Sequence, residues 1–346
     1  MKFATLASAS ALALSVVAFT APASAQGRDT IQIAGSSTVL PFASIVAEEF
    51  GNAFSNFKAP VVGSGGTGGG LKQFCEGTGD NTIDIANASR AIKKAEVEAC
   101  NKNGVKQIVE VQFGFDGIVF ASATGKAQFA LEPKHVYAAI AAQVPVDGKM
   151  VANPYTKWSQ VDKSLPDQEI VLVIPASNHG TREVFEEKVI HPGAVSYPEI
   201  KALKGDEQKK AILGFRQDGR VIEIAGDYTE TLARLAAQND AVGVFGLSFY
   251  DQNKDKLQVA TVGGVTPSLE TIAEGKYPVS RPLFFYVKGE HIGKVPGLEE
   301  YAAYFLNADI SGSGSPLVEA GLIPLDDAKR AEVLKAVKAR TVAQGS

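Results

Sequence analysis

From Thr30 onward, short apolar segments alternate with amphipathic segments along the whole chain. The apolar segments are rich in Val, Ile and Phe, which is typical of buried strands. The amphipathic segments carry apolar residues at helical spacing, as Phe42, Val46 and Phe50 do in the first one. This alternation predicts an α/β fold with a mixed, mostly parallel sheet flanked by helices. A length of 346 residues is enough for two domains, each with its own core.

In two segments the sequence predicts where helices or strands begin and end. Residues 63–70 are mostly glycine, so we predict a turn there, followed by a helix that begins at Leu71. Residues 109–113 and 117–121 are each apolar and predict two strands. Asp116 is then expected in the connection between those two strands.

The N-terminal residues have the pattern of a secretory signal peptide. Lys2 precedes a short apolar run at 12–19, and residues 23–25 read Ala-Ser-Ala. The run is too short for a membrane anchor. We therefore expect residues 1–25 to be removed after Ala25 and the mature protein to be periplasmic.

The charge of the mature chain argues against nucleic acid as a partner. Loss of Lys2 leaves 33 basic and 38 acidic residues, a net charge of about −5. Nucleic-acid binding needs a concentrated basic surface. If this chain binds an anion, local dipoles and a few placed cations must hold it.

Cys75 and Cys100 are the only two cysteines in the sequence. An even pair in an exported protein usually oxidises, so we predict a disulfide between them. Two separate buried thiols remain the alternative. Two sulfurs and four scattered histidines make no zinc pattern, and no metal site is expected.

Four small polar turns follow apolar strands and precede helices. They lie at residues 35–38, 66–69, 88–90 and 179–182. Such turns lie at the carboxyl edge of a sheet, where a helix start presents unpaired N–H groups to an anion. For any single turn helix capping is the favoured explanation, but four of them, two ending in Arg, favour a shared anion site. Arg90 and Arg182 are the candidate cations, because the guanidinium fork matches two oxyanion oxygens.

The glycine-rich segment also fits a dinucleotide fingerprint. Residues 63–68 match Gly-x-Gly-x-x-Gly, and Asp84 follows at about the right spacing. Export argues against a nicotinamide cofactor, and no Gly-Lys-Ser/Thr follows for a P-loop. No cofactor is expected.

Asp116 and His179 each have two open interpretations. A carboxylate at an anion site makes sense if the ligand carries a proton, as phosphate does near neutral pH and sulfate does not. Asp116 is otherwise a turn residue that bonds its own backbone. His179 is either a ligand donor or a turn residue. No Gly-x-Ser-x-Gly occurs, so nucleophilic catalysis finds little support and an enzyme is not expected.

The ordered set of these segments closely resembles the periplasmic phosphate-binding proteins of phosphate ABC transporters. The resemblance runs from about residue 30 to residue 340, and its motifs lie at 34–38, 66–73, 84–90, 116–117, 180–185 and 275–283. It implies a two-lobed, class II periplasmic-binding fold. Lobe 1 comprises residues 27–115 and 285–346, and lobe 2 comprises residues 116–284. The lobes are expected to close on phosphate by a hinge.

The resemblance also implies a ligand set and a partner. Asp116 accepts a hydrogen bond from phosphate, and the donors are Ser37, Thr38, Thr67, Ser89, Arg90, Gly180, Thr181 and Arg182. The protein is expected to be a monomer that delivers phosphate to an inner-membrane ABC permease without breaking a bond.

Two departures from the family pattern affect the predicted ligand. His179 stands where relatives carry a hydroxyl donor, and Arg90 stands where some relatives carry Asp. His179 is kept in the ligand set as a ring-nitrogen donor. The alternatives are an exported phosphatase or other phosphoryl hydrolase, and a receptor for sulfate, molybdate or a phosphonate.

Overall fold

The computed structural model describes residues 28–177, 180–225 and 228–346. The predicted signal peptide with its cleavage site after Ala25 lies outside these ranges, as does His179. Within these ranges, every helix falls short of the length and apolar character that crossing a bilayer requires.

The described residues form fourteen strands. They are β1 (Gln32–Gly35), β2 (Val61–Ser64), β3 (Ile85–Ala88), β4 (Ile108–Ala123), β5 (Ala130–Leu131), β6 (Gln143–Val146), β7 (Lys149–Ala152), β8 (Val171–Pro175), β9 (Val221–Ile224), β10 (Ala241–Gly246), β11 (Leu257–Val259), β12 (Thr261–Val262), β13 (Ser280–Lys288) and β14 (Ile323–Pro324).

The described residues also form sixteen α-helices. They are α1 (Leu40–Ala53), α2 (Gly66–Phe74), α3 (Lys94–Lys102), α4 (Pro133–Ile140), α5 (Trp158–Val161), α6 (Gly180–Phe185), α7 (His191–Val195), α8 (Pro198–Ala202), α9 (Gly205–Leu213), α10 (Tyr228–Ala237), α11 (Leu247–Gln252), α12 (Leu269–Ala273), α13 (Leu298–Phe305), α14 (Ala308–Ser311), α15 (Pro316–Glu319) and α16 (Asp327–Lys338). A π-helix (Glu186–Ile190) joins α6 to α7, and a 3-10 turn (Gly289–His291) follows β13.

One mixed sheet runs through the molecule in the order β2-β1-β3-β13-β4-β10-β8-β9. The pairs at its two ends are parallel, as in β1–β2, β1–β3, β8–β9 and β8–β10. The strands in the middle, β13 and β4, join these ends through antiparallel pairs. The predicted mixed sheet with flanking helices is confirmed, but the expectation that it is mostly parallel was wrong. This sheet has four parallel and five antiparallel strand pairs, and every antiparallel pair involves β4 or β13.

The strand β4 is continuous from Ile108 to Ala123, so the prediction of two separate strands was wrong. Its first part pairs with β13, and its second part pairs with β10 and β11. Gly114 does not break the strand, because β14 packs against it closely. A Cβ at Gly114 would lie 2.6 Å from the carbonyl oxygen of Ile323, so the glycine serves close packing. Asp116 therefore lies inside a strand.

The helix α2 begins at Gly66, not at the predicted Leu71. A helix with this many glycines has poor intrinsic propensity, so packing must hold it. Thr67, Leu71 and Phe74 are buried. A Cβ at Gly70 would overlap the backbone of Gly35 at the end of β1. The glycine run thus lets a helix lie directly against a strand end.

Two regions of buried side chains lie on either side of the join. What we call the first core is built from residues 31–113 and 283–337 and falls into two adjoining clusters. The second core is built from residues 118–279 together with Ile323. β4 and β13 are the long strands that connect the two cores, so residues on them occupy the boundary between them.

A network of buried charged groups lies in the first core, at the start of β3 and the end of β13. Asp84 is fully buried, pairs with Arg28 and bonds His291 Nδ1 at 2.6 Å. Lys288 is also fully buried, and its Nζ donates to the Gly77 carbonyl at 2.6 Å and to Thr82 Oγ1 at 2.8 Å. Asp84 is used by these partners within the protein. It therefore has a structural role and does not serve as the ribose-binding carboxylate of a dinucleotide fingerprint.

The disulfide between Cys75 and Cys100 is present and links α2 to α3. Replacing both cysteines with serine should lower the free energy of unfolding by about 3.5 kcal/mol, the chain-entropy value for a loop of this length. Urea unfolding of the two proteins measures the difference. Equal midpoints would show that the crosslink contributes nothing to stability.

The buried Lys288 should make stability depend on pH. Burial lowers the pKa of Lys288 from its ordinary 10.5 to about 8. Between these two values the unfolded chain binds more protons than the folded one, so this group makes stability rise with pH across that window. Against Lys288→Met, the wild type should therefore gain unfolding free energy between pH 7.5 and pH 10. The exposed Lys335→Met is the control, and parallel profiles for the wild type and Lys288→Met would contradict the expectation.

Candidate functional site

An arginine and an aspartate face each other where the two long strands cross between the cores. Arg281 on β13 is paired in register with Asp116 on β4. The guanidinium of Arg281 is only 2% exposed, and its Nε lies 3.6 Å from Asp116 Oδ2. Since an arginine is almost never buried without partners, the surroundings of Arg281 define the site.

Arg281 reaches groups from both cores. Its Nη2 donates to Thr38 Oγ1 at 2.5 Å, in the turn before α1. Its Nη1 donates to Glu187 Oε2 at 2.8 Å, and Nη2 lies 3.6 Å from Glu183 Oε2, both in the segment that starts with α6. One cation is therefore surrounded by three carboxylates and one hydroxyl.

Two hydroxyls of the first turn, those of Ser37 and Thr38, point across the cleft and do not cap their helix, while the Ser36 hydroxyl accepts from the Val39 N–H at 3.4 Å. The cap residue of α1 is Val39, which makes no side-chain capping bond. Ser37 Oγ donates to Glu183 Oε2 at 3.0 Å, and Thr38 Oγ1 donates to the same oxygen at 2.8 Å. For Ser37 and Thr38 the capping interpretation fails, because both donors are used on an anion of the other core.

Two buried polar atoms in the Arg281–Asp116 pair have no hydrogen-bond partner among the residues that the structure describes. They are Arg281 Nε and Asp116 Oδ2, and their separation of 3.6 Å is too long for a hydrogen bond. Burial raises the pKa of Asp116, and the nearby Glu183 adds to the rise while Arg281 opposes it. An unpaired donor beside an unpaired acceptor is a set that a ligand with both functions satisfies.

Thr67 and Ser89 form a second polar pair at the same sheet edge. They lie just beyond β2 and β3, which flank β1 in the sheet. Their hydroxyl oxygens are 3.1 Å apart, and the Ser89 N–H donates to Thr67 Oγ1 at 3.1 Å. Both are buried. The structure thus brings the second and third predicted turns together.

Arg90 is held by a carboxylate of its own core. Its two terminal nitrogens donate to Glu96 at 2.9 Å and 2.8 Å, and Nη1 also donates to the Ala91 carbonyl. Hydrogen bonding to Glu96 raises the pKa of Arg90. Its contact with a ligand stays a prediction and would require this bidentate pair to open.

Arg182 is directed into the second core. Its Nε donates to Glu186 at 2.6 Å, and its Nη1 donates to the Pro175 carbonyl and to Glu223. The guanidinium also lies over the ring of Phe215. These contacts tie α6 to the end of β8, so direct bonding of Arg182 to an anion likewise stays a prediction.

Gly180 and Thr181 form the start of α6. The hydroxyl of Thr181 bonds the hydroxyl of Tyr228, whose pKa is raised by burial. Thr38, Asp116, Thr181 and Tyr228 line a cavity of about 340 Å³. Three of the predicted ligand residues therefore share one space.

The sequence reasoning missed Arg281 as a site residue and Glu183 as a neighbour of the hydroxyls. Residues 275–283 entered the resemblance only as a strand crossing. One signal was available, since an arginine within the aromatic run of β13 is an exceptional residue for a buried strand. Glu183 offered no comparable signal.

The chain matches the family model described as "PBP superfamily domain" over residues 20–309. Among curated proteins it is similar to "Protein SphX" of Synechococcus elongatus, with 31% identity across 88% of this chain and 79% of the relative. It is also similar to "Phosphate-binding protein PstS" of Staphylococcus epidermidis, with 29% identity across 79% of this chain and 73% of the relative.

Solved structures show the same fold at low identity. A possible phosphate binding protein from Planctomyces limnophilus superposes with a TM-score of 0.68 and 24% identity, covering 90% of this chain and 98% of the other. An ABC-type phosphate transport receptor from Vibrio cholerae gives 0.58 and 18%, covering 86% and 100%. The two-lobed α/β architecture expected from the sequence is confirmed by these likenesses.

Removing the buried cation should cost more stability than removing an exposed one. Arg281→Met leaves three carboxylates without their shared partner, and we expect a loss of about 3–5 kcal/mol in unfolding free energy. Arg340→Ala is the control, because that side chain is 45% exposed in its pair with Glu299 and should cost about 0–1 kcal/mol. Urea denaturation measures both losses. Equal losses would show that Arg281 does not stabilise the crossing of β4 and β13.

Proposed function

The chain belongs to the PBP superfamily, and on that premise we propose that it captures inorganic phosphate between two lobes and delivers it to an ABC transporter. Binding and lobe closure are the whole mechanism, with no bond broken. The curated relatives whose name is phosphate-binding protein support this ligand.

The unpaired atoms at the strand crossing are the observation that favours phosphate over sulfate as the ligand. Arg281 Nε is a donor and Asp116 Oδ2 is an acceptor, and both are buried. Near neutral pH phosphate offers a negative oxygen to the donor and a P–OH to the acceptor. Sulfate has no proton to offer, so its oxygen would face the Asp116 carboxylate at a desolvation and repulsion cost.

The proposed ligand set combines the sequence prediction with one added residue. Ser37, Thr38 and Arg281 lie at the centre, with Asp116 as acceptor. The Thr67–Ser89 pair and the start of α6 at Gly180 and Thr181 complete the cleft. Arg90, His179 and Arg182 remain candidates, of which Arg90 and Arg182 would first have to leave their carboxylates.

The proposed lobes are residues 27–115 with 285–346, and residues 116–284. The two cores support this division, because their boundary falls where β4 and β13 pass between them. Asp116 and Arg281 lie close to both proposed boundaries, so a hinge there would carry the central charges with it.

Export and delivery complete the proposal. We propose that residues 1–25 direct the chain to the periplasm and that cleavage follows Ala25. The mature monomer would then present its closed, loaded form to an inner-membrane permease. The pattern of the N-terminal sequence and the phosphate-binding relatives support this.

Replacing the acceptor should change which anion is preferred. Titration calorimetry of the wild type with phosphate and with sulfate tests the function first, and phosphate should bind far more tightly. In Asp116→Asn the amide can donate to a sulfate oxygen, so the preference for phosphate should fall by about tenfold or more, the value of one charge-assisted hydrogen bond.

Asp206→Asn is the matched control, because Asp206 is exposed on α9. It should leave both affinities unchanged. An Asp116→Asn protein with the wild-type preference would remove Asp116 from the ligand set. A wild type that binds no phosphate would end the proposed function.

A further inference from the structure

A carboxylate of the protein itself occupies the donors that an oxyanion would use. Glu183 Oε2 accepts from Ser37 Oγ at 3.0 Å and from Thr38 Oγ1 at 2.8 Å. The same oxygen lies 3.6 Å from Arg281 Nη2. Two hydroxyls and a guanidinium around one anionic oxygen form an oxyanion seat, by which we mean Ser37, Thr38 and Arg281.

The oxyanion seat has more negative than positive charge around it. The single guanidinium of Arg281 faces the carboxylates of Asp116, Glu183 and Glu187. A phosphate that enters while all three remain charged and in place would be repelled by more charge than Arg281 compensates. At least one carboxylate therefore has to leave the seat or take up a proton when the ligand binds.

Exposure and hydrogen bonding together indicate which carboxylate leaves the seat. Arg281 is 2% exposed and Thr38 is buried, so these two donors are held in place by packing, whereas Ser37 is exposed. Glu183 is 42% exposed and Glu187 is 49% exposed, so a side-chain rotation can return either carboxylate to water. Of these two, Glu183 is the one that accepts from the Ser37 and Thr38 hydroxyls, so its departure frees the seat. Asp116 is only 15% exposed and belongs to β4, so it has no comparable exit.

We propose that Glu183 is a resident anion that fills the oxyanion seat in the empty protein and is displaced by the ligand. The proposal rests on the proposed function, since it identifies the seat with the phosphate site. Glu183 belongs to α6 and its hydroxyl partners precede α1, so the occupied seat also fastens the two cores to each other.

The resident carboxylate has two consequences. Ligand affinity is lower than the donors alone would give, because the ligand must replace hydrogen bonds that already exist. The empty protein is also held partly closed, because Glu183 bridges the cleft in place of the ligand. When phosphate binds, it takes the place of the Glu183 carboxylate in a seat whose donors are already in position.

Two substitutions separate the charge of Glu183 from its presence. Glu183→Gln keeps the shape and removes the charge, while Glu183→Ala removes the contact. Both should bind phosphate more tightly than wild type, by about tenfold to 100-fold, the range of one charge-assisted hydrogen bond. Glu207→Gln, at an exposed carboxylate on α9, should bind as wild type does. Titration calorimetry with inorganic phosphate gives the values.

A distance measurement without ligand tests the bridge independently of phosphate. Spin labels at Asn52→Cys on α1 and Lys201→Cys on α8 lie on exposed positions of the two cores. Pulsed electron resonance should show a longer or broader distance distribution in ligand-free Glu183→Ala than in ligand-free wild type. The distribution in Glu207→Gln should match the wild type.

The outcomes distinguish the two proposals. Unchanged or weaker phosphate binding in both Glu183 variants, while the wild type binds, overturns the resident anion and leaves the proposed function intact. If the wild type binds no phosphate, the proposed function fails, and the label distances alone decide the bridge. Identical ligand-free distances in wild type and Glu183→Ala overturn the bridge in either case.

Discussion

The burial of one guanidinium between two long strands is the constraint on which the junction of this protein depends. Arg281 stands opposite Asp116 in the β13–β4 register and is almost fully removed from water. A buried cation has to be surrounded by anions and acceptors. The first turn and the α6 segment supply them from opposite sides, so the need to satisfy Arg281 brings parts of both cores to one place.

The same two strands explain how a single sheet serves two cores. β4 is long enough to pair with β13 in the first core and with β10 in the second. The crossing is the only place in the sheet order where the parallel strands of one end connect to those of the other, within the part of the chain that the structure describes. The contacts of a site at this crossing therefore depend on the relative position of the two cores, as the proposed closure on a ligand requires.

The polar turns have similar sequences, but they make different contacts. Ser37 and Thr38 reach the second core, while Thr67 and Ser89 bond to each other. Arg90 and Arg182 bond to carboxylates near their own turns. The turns supply hydroxyls to the cleft, and the central positive charge comes from a strand. A resident carboxylate in the seat then sets how strongly an incoming oxyanion has to compete.

The sequence by itself determined the α/β class, the disulfide pair and the position of three turns at one sheet edge, because apolar periodicity, cysteine number and strand-to-turn spacing are local properties. It also led to Asp116, Ser37 and Thr38 as site candidates. The continuity of β4 and the early start of α2 were not predictable, because glycine weakens local propensity and only packing against β14 and β1 reverses that effect. Only the tertiary structure identified Arg281 and Glu183 as partners of the first turn. They are separated from Thr38 by 243 and 145 residues, and a charge pair of that separation exists only after the strands have paired and the two cores have come together.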